Sequence, residues 1–157
     1  MLAVEPRSAR RADIAAHGVR VWSPEGKGDF LRQPMDALVL NAAGGSLDPE
    51  AIERCTRNER LKVICGSENL VMPDSARAPL LLRAHKVFAP TEFGGMMGYL
   101  TAVEEYLAHV AGERFRIETL LEAAQQLEPI CCAATKRVRD RGFAIPFEDA
   151  IRELSAR

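Results

Sequence analysis

The sequence predicts an α/β fold, a mostly parallel sheet whose strands alternate with helices, closed by a helical tail at the carboxyl end. Three observations carry this. Short apolar runs alternate with helical segments as far as about Pro90. Two of those runs, ALVLNA and LKVICGS, lack the polar alternation of a half-exposed strand and read as buried on both faces. From about Phe93 onward the pattern turns helical and stays so. At 157 residues the chain makes one ordinary domain or a piece of a larger one. With 47% apolar and 27% charged residues it can bury a sizeable core.

The elements follow in order. MLAVEP is a short apolar run stopped by an acid and a proline, as a buried strand is. Ser8–His17 reads as a helix, with Ser8 as N-cap and Gly18 as the stop. Val19–Ser23 is a second strand, and the Gly-, Pro- and Lys-containing segment after it has no clear form. Ala37–Ala42 is the third strand. Gly44-Gly45 breaks it, and Asp48 caps a helix that has Pro49 at its first position and runs to about Arg57. Leu61–Ser67 is a fourth strand, Asp74 caps a helix near Ser75–Lys86, and Val87–Ala89 is a last strand ending at Pro90. In the tail, Met96, Met97, Leu100, Val103, Tyr106, Leu107 and Val110 form an apolar stripe at helical spacing that ends near Gly112. Ile117–Arg141 is a long helix stopped by Gly142, and Pro146–Ser155 is a short one.

Charge and cysteine usage narrow the function classes. Lys plus Arg total 21 against 22 Asp plus Glu, a formal net charge of −1. That balance gives no basic face for nucleic acid or an anionic membrane. No stretch approaches the roughly 18 apolar residues of a membrane helix, and the opening residues do not read as an export signal. Cys55, Cys65, Cys131 and Cys132 have neither zinc-site nor CxxC spacing, so a reduced, cytoplasmic protein with no metal is expected. The adjacent Cys131 and Cys132 face different directions on a helix, and core packing is their better reading. Gly94-Gly95-Met96-Met97-Gly98 mimics a dinucleotide fingerprint but lacks its spacing. His17, His85 and His109 read as ordinary helical positions.

In a doubly wound sheet, ligands bind beyond the carboxyl ends of the strands. Four segments fall there: Glu5 to Arg7, Asn41 to Gly45, Ser67 to Leu70 and Pro90 to Gly95. Their residues carry a resemblance. LVLNAAGGSLDPEAI, LKVICGSENLVMPD and KVFAPTEFGGMMGYL resemble the nucleotide-binding domain of the glutamate/leucine/phenylalanine/valine dehydrogenases. That family's Ala-x-Gly-Gly loop reads Ala42-Ala43-Gly44-Gly45 here, and its Gly-Ser-Ala-Asn-Asn-Gln run reads Gly66-Ser67-Glu68-Asn69-Leu70-Val71. Phe88-Ala89-Pro90-Thr91 stands at its Tyr-Ala-Pro-Asp, and RVRDRGFAIPFEDAIRELSAR resembles its closing helices.

The resemblance implies an NAD(P)-linked enzyme that oxidatively deaminates an α-amino acid by hydride transfer. It implies an incomplete Rossmann-type dinucleotide-binding domain over residues 1–92, with residues 93–157 packing on it as helices. Cofactor contacts are implied for Glu5, Arg7, Asn41, Ala42, Ala43, Gly44, Glu68 and Asn69. Glu5 falls where the family holds an acid on the adenosine ribose; a carboxylate accepts from two ribose hydroxyls and repels a 2′-phosphate, which favours NAD over NADP. Arg7, Arg10 and Arg11 keep the NADP option open through guanidinium–phosphate pairing; their alternative is a solvated helix start. Gly44 and Gly45 serve a positive-φ turn, a close approach to the nicotinamide-side ribose, or both. Asn69 is either a ligand or a turn residue bonded to its own backbone. Glu68 replaces a small residue beside the cofactor, where a carboxylate favours the oxidised ring or marks a site that has lost its ligand.

The resemblance also points to parts this sequence does not contain. The family's chemistry is done by lysines and an aspartate of a preceding domain; Lys27, Lys62, Lys86 and Lys136 match none of them, and no catalytic residue is assigned. A first strand with its GxGxxG turn is likewise absent. In the 3-2-1-4-5-6 order that strand lies mid-sheet, so the strands at Met1–Glu5 and Val19–Ser23 are expected to stand apart from the other three, with open edges. A chain inactive alone is expected, acting on a small amino acid or oxo acid when completed, as a homo-oligomer or with a partner protein. The alternative is a non-catalytic interaction module derived from a dehydrogenase.

Overall fold

The computed structural model describes residues 1–156, and side-chain surroundings for these except at positions 91 and 92. Strand β1 (Leu2–Val4), helix α1 (Ser8–Ala16) and strand β2 (Arg20–Trp22) form a first unit. β1 and β2 pair in parallel, with Ala3 opposite Val21. A 3-10 turn at Pro24–Gly26 leads into α2 (Lys27–Leu31), the segment whose form the sequence leaves open. Then come β3 (Ala37–Leu40), α3 (Pro49–Arg57), β4 (Val63–Gly66), a 3-10 turn at Ser75–Arg77, α4 (Ala78–Arg83) and β5 (Val87–Phe88). The tail comprises α5 (Thr91–Gly94), α6 (Met96–Ala111), α7 (Ile117–Asp140) and α8 (Phe147–Ser155).

The fold is thus α/β with parallel strands and a helical carboxyl-terminal part, a partial Rossmann-like arrangement. Its strands form two sheets, β1-β2 and β3-β4-β5, all neighbours parallel. The separation expected from the sequence is present. Both sheets nevertheless serve one core: Leu2, Val4 and Trp22 pack against a buried cluster that includes Phe30, Leu38, Leu47, Ile52, Ile64 and Leu81. A second cluster, Val87, Ala134, Val138, Phe147 and Ala150, joins β5 to α7 and α8. Phe93 meets Phe147 edge-on there, with ring centroids 5.5 Å apart.

Local chemistry explains most element ends. Asp48 caps α3 by accepting from the Ala51 N–H at 2.8 Å, with Pro49 in the first turn. Asp74 accepts from the Ala76 N–H, but it caps the 3-10 turn before α4. Ser8 is not the cap of α1. Arg7 holds that place with extended backbone and no side-chain bond, because Ser8 is already helical. His85 lies past the end of α4 at φ 59°, not on a helix, and stacks on Phe143 at 4.9 Å.

One burial expectation is overturned. β3 is buried on one face: Leu38 is in the core, whereas Ala37 is exposed and Val39 is 60% exposed. Its hydrophobic residues on both sides suggested two covering layers, and only the Leu38 side has one among the described residues. The apolar stripe on α6 does not form core. None of that helix is buried, and Tyr106, Leu107 and Val110 are exposed. A helical apolar period says that a face seeks cover; it does not say that the same chain supplies it. Cys131 packs against the second cluster, but its neighbour Cys132 is exposed, because adjacent helical positions diverge.

These assignments predict a contrast in denaturant melts. Ile64→Ala, in the core, is expected to cost about 2–5 kcal/mol, and Tyr106→Ala to stay within about 0.5 kcal/mol; similar losses would place α6 in the core. A second prediction concerns Cys55, fully buried in the first cluster. Burial pushes its thiol up to about 11. The unfolded chain loses that proton first, so stability falls as pH rises from about 9 towards 11. The difference between wild-type and Cys55→Ala unfolding curves across that range measures it.

Candidate functional site

Strand direction places the carboxyl ends of β3 and β4 side by side, with Leu40 opposite Gly66. The loops that leave them are stitched into one ledge. Asn41 Oδ1 accepts from the Ser67 N–H and from its hydroxyl, both at 3.0 Å. Glu68 accepts from the Ser46 N–H at 2.8 Å and the Ala42 N–H at 3.3 Å. Gly45 and Leu47 donate to the carbonyls of Leu70 and Val71. The turn between them needs glycine: Gly44 stands at φ 138° and Gly45 at φ 73°. A Cβ at Gly44 would lie 3.3 Å from the Asn69 carbonyl oxygen, a tight contact between the two loops.

This ledge brings together most of the sequence-derived site residues. Asn41, Ala42, Ala43, Gly44 and Asn69 line its exposed surface. Glu68 lies beneath them, 1% exposed, its carboxylate spent on loop backbone. Ser46, Ser67 and Leu70 complete the stitching: Ser46 carries no mark in the sequence, and Ser67 and Leu70 fall in a segment expected at the strand ends without individual roles. Ser67 stands in the quoted motif without a role, and Leu70, at φ 49° and 86% exposed, carries no sequence mark of a left-handed turn.

Glu5 and Arg7 sit apart, at the carboxyl end of β1. The Glu5 N–H still donates to the Trp22 carbonyl, which extends the pairing past Val4. Glu5 Oε1 accepts from the Arg7 N–H at 2.9 Å and from its Nε at 3.4 Å. The first of these bonds is the main reason the carboxyl is held below its usual range, aided by the Arg7 and Arg10 charges. Oε2 takes part in neither bond. Arg11 turns back to the Glu5 and Pro6 carbonyls and is therefore occupied with its own strand end.

The helical tail reaches the ledge through α5. A Cβ on Gly94 would fall inside the Gly66 carbonyl group, and one on Gly66 inside the Leu40 backbone. Only glycine fits at either position, so α5 rests directly on the end of β4. The glycines of the GGMMG decoy thus include one with a packing role.

Parallel strands, a ledge at their carboxyl ends and an acid at the end of β1 define a Rossmann-like α/β chain. Among solved structures, the L-tryptophan dehydrogenase from Nostoc punctiforme is similar to it, with a TM-score of 0.71 at 15% identity. The match covers 99% of this chain and 43% of that one, so the chain spans less than half the length of that dehydrogenase. No protein-family profile and no curated protein sequence matches the chain. The likeness is therefore one of fold. Among the described residues, no helix is long and apolar enough to cross a membrane.

The Glu5 bonds make a pH prediction. A carboxyl whose folded value is depressed stabilises the fold above its unfolded value near 4.5, and that contribution is lost as pH falls through the folded value. Glu5→Gln should flatten that part of the acid-unfolding curve and leave the curve above pH 6 parallel to wild type.

Proposed function

We propose that this chain is the dinucleotide-binding part of an amino-acid dehydrogenase-like protein, with NAD as its cofactor. The observation that carries the reading is the likeness at TM-score 0.71 over 99% of the chain to a dehydrogenase of an amino acid. The residues present suit such a ligand. Glu5 offers Oε2 to ribose hydroxyls at the end of β1, and its charge disfavours a 2′-phosphate there. Asn41, Ala42, Ala43, Gly44 and Asn69 would carry the nicotinamide-side ribose on the ledge, where glycine lets backbone approach closely. Arg7, tied to Glu5, orients that carboxylate; in the NADP alternative it would face the extra phosphate. A bound nicotinamide would supply hydride-transfer chemistry: it would take hydride from the Cα of an amino acid, leaving an imino acid that water hydrolyses to the oxo acid and ammonium, with the reverse running through the same imino acid.

This chain's part is to bind and to orient. None of its lysines or aspartates lies on the ledge, so turnover would draw its acid–base groups from elsewhere in a larger assembly. The surface supports such an assembly. A compact monomer of this mass exposes about 7,800 Å², whereas this chain exposes 10,343 Å². The exposed apolar side chains include Tyr99, Tyr106, Val110, Ile117 and Leu121, on α6 and the start of α7. Covering them suits a homo-oligomer or a partner protein. The four unpaired cysteines accord with a cytoplasmic setting.

Two-dimensional NMR titration of the chain with NAD, NADP and ADP-ribose tests the reading. NAD and ADP-ribose should move the amides of Glu5 and of residues 41–44 saturably, NADP more weakly, and Glu5→Ala should weaken NAD by about tenfold. Shifts scattered over the surface, or none at millimolar ligand, would sink it.

A further inference from the structure

Glu68 is nearly inaccessible, and burying a carboxylate is costly unless donors compensate it. Its compensation is specific. Of the N–H groups in the loop after β3, those of Gly45 and Leu47 pair with the carbonyls of Leu70 and Val71. Those of Ala42 and Ser46 converge instead on the two carboxylate oxygens of Glu68, at 3.3 and 2.8 Å. Positive φ angles at Gly44 and Gly45 turn the chain between the two donors, so that both N–H groups reach the same side chain. Helix α3 begins a few residues on, at Pro49, and its positive end favours negative charge nearby. A water molecule would satisfy the same two donors without burying charge. The loop instead holds the carboxyl group of Glu68, one oxygen on each donor.

We infer that the loop after β3 is an oxyanion-binding site occupied by the chain's own Glu68, so that a small carboxylate or phosphate enters it only when that side chain is removed or swings out. The inference concerns backbone donors beneath the ledge and does not depend on a dinucleotide binding above it. Its consequence is that the loop is formed and closed to external anions in the free chain. The carboxylate acts as a positioning group, clamping the loop after β3 to the loop after β4.

Anion rescue of Glu68→Ala tests it, with formate, acetate and inorganic phosphate as probes and chloride at equal ionic strength as control. In the variant, the Ala42 and Ser46 amides should exchange with solvent on the order of ten- to a hundredfold faster than in wild type. Formate or acetate should restore protection saturably, and phosphate should compete with them. Wild type should respond to none of the probes. Unchanged exchange at both amides, or equal anion effects on wild type and variant, would overturn the inference. Should Glu68→Ala fail to fold, Glu68→Gln decides: it keeps one acceptor oxygen, so protection is expected to fall at one of the two amides and persist at the other. Full protection at both in that variant would show that charge and oxyanion geometry are immaterial there. Loss of NAD binding by wild type would bear on the dinucleotide reading and leave these outcomes unaffected.

Discussion

The ladder between β3 and β4 is the constraint on which the rest of the structure depends. Parallel neighbours cannot be joined by a tight turn, so the chain must cross over through α3, and that helix must bury the face it covers. Leu38 and Ile64, opposite each other in the register, supply the sheet side of the contact, and Ala51, Ile52 and Cys55 the helix side. The same register sets Leu40 against Gly66, so both loops leave the sheet at one level. Their mutual hydrogen bonds follow from that. The ledge is a product of the ladder, and a one-residue slip would destroy both.

Much of this was legible because it rests on local signals. Asp48-Pro49 announces the start of α3, Gly112 and Gly142 mark the ends of α6 and α7, and the apolar runs locate the strands. The separation of β1-β2 from the other strands followed from strand order. What escaped depended on neighbours the pattern does not name. Val39 looks like core because it is apolar, but burial needs a covering surface, and it stays 60% exposed; the α6 stripe is covered only in part, with Tyr106, Leu107 and Val110 left exposed. Glu68 reads as a ledge residue in sequence, and only its bonds to the Ala42 and Ser46 backbone show it lying underneath.

Order and exposure are therefore divided unevenly. The first cluster and the α7–α8 junction are packed like ordinary protein interior, whereas α6 and the start of α7 present tyrosines and aliphatic side chains to water. In α7, Pro129 sits inside the helix, between a poorly covered first half and the buried Ala134 and Val138. A proline there removes one helical hydrogen bond at the boundary between the two regimes.

The contact of Gly94 on Gly66 has a mechanical meaning. With no side chain between them, α5 and the end of β4 meet as bare backbones, and interiors packed this tightly transmit displacement instead of absorbing it. Gly66 leads directly into Ser67 and Glu68, which hold the other loop. The glycine pair has the geometry of a fulcrum: any tilt of the helical tail would press on the end of β4 and, through it, on the ledge across both strands.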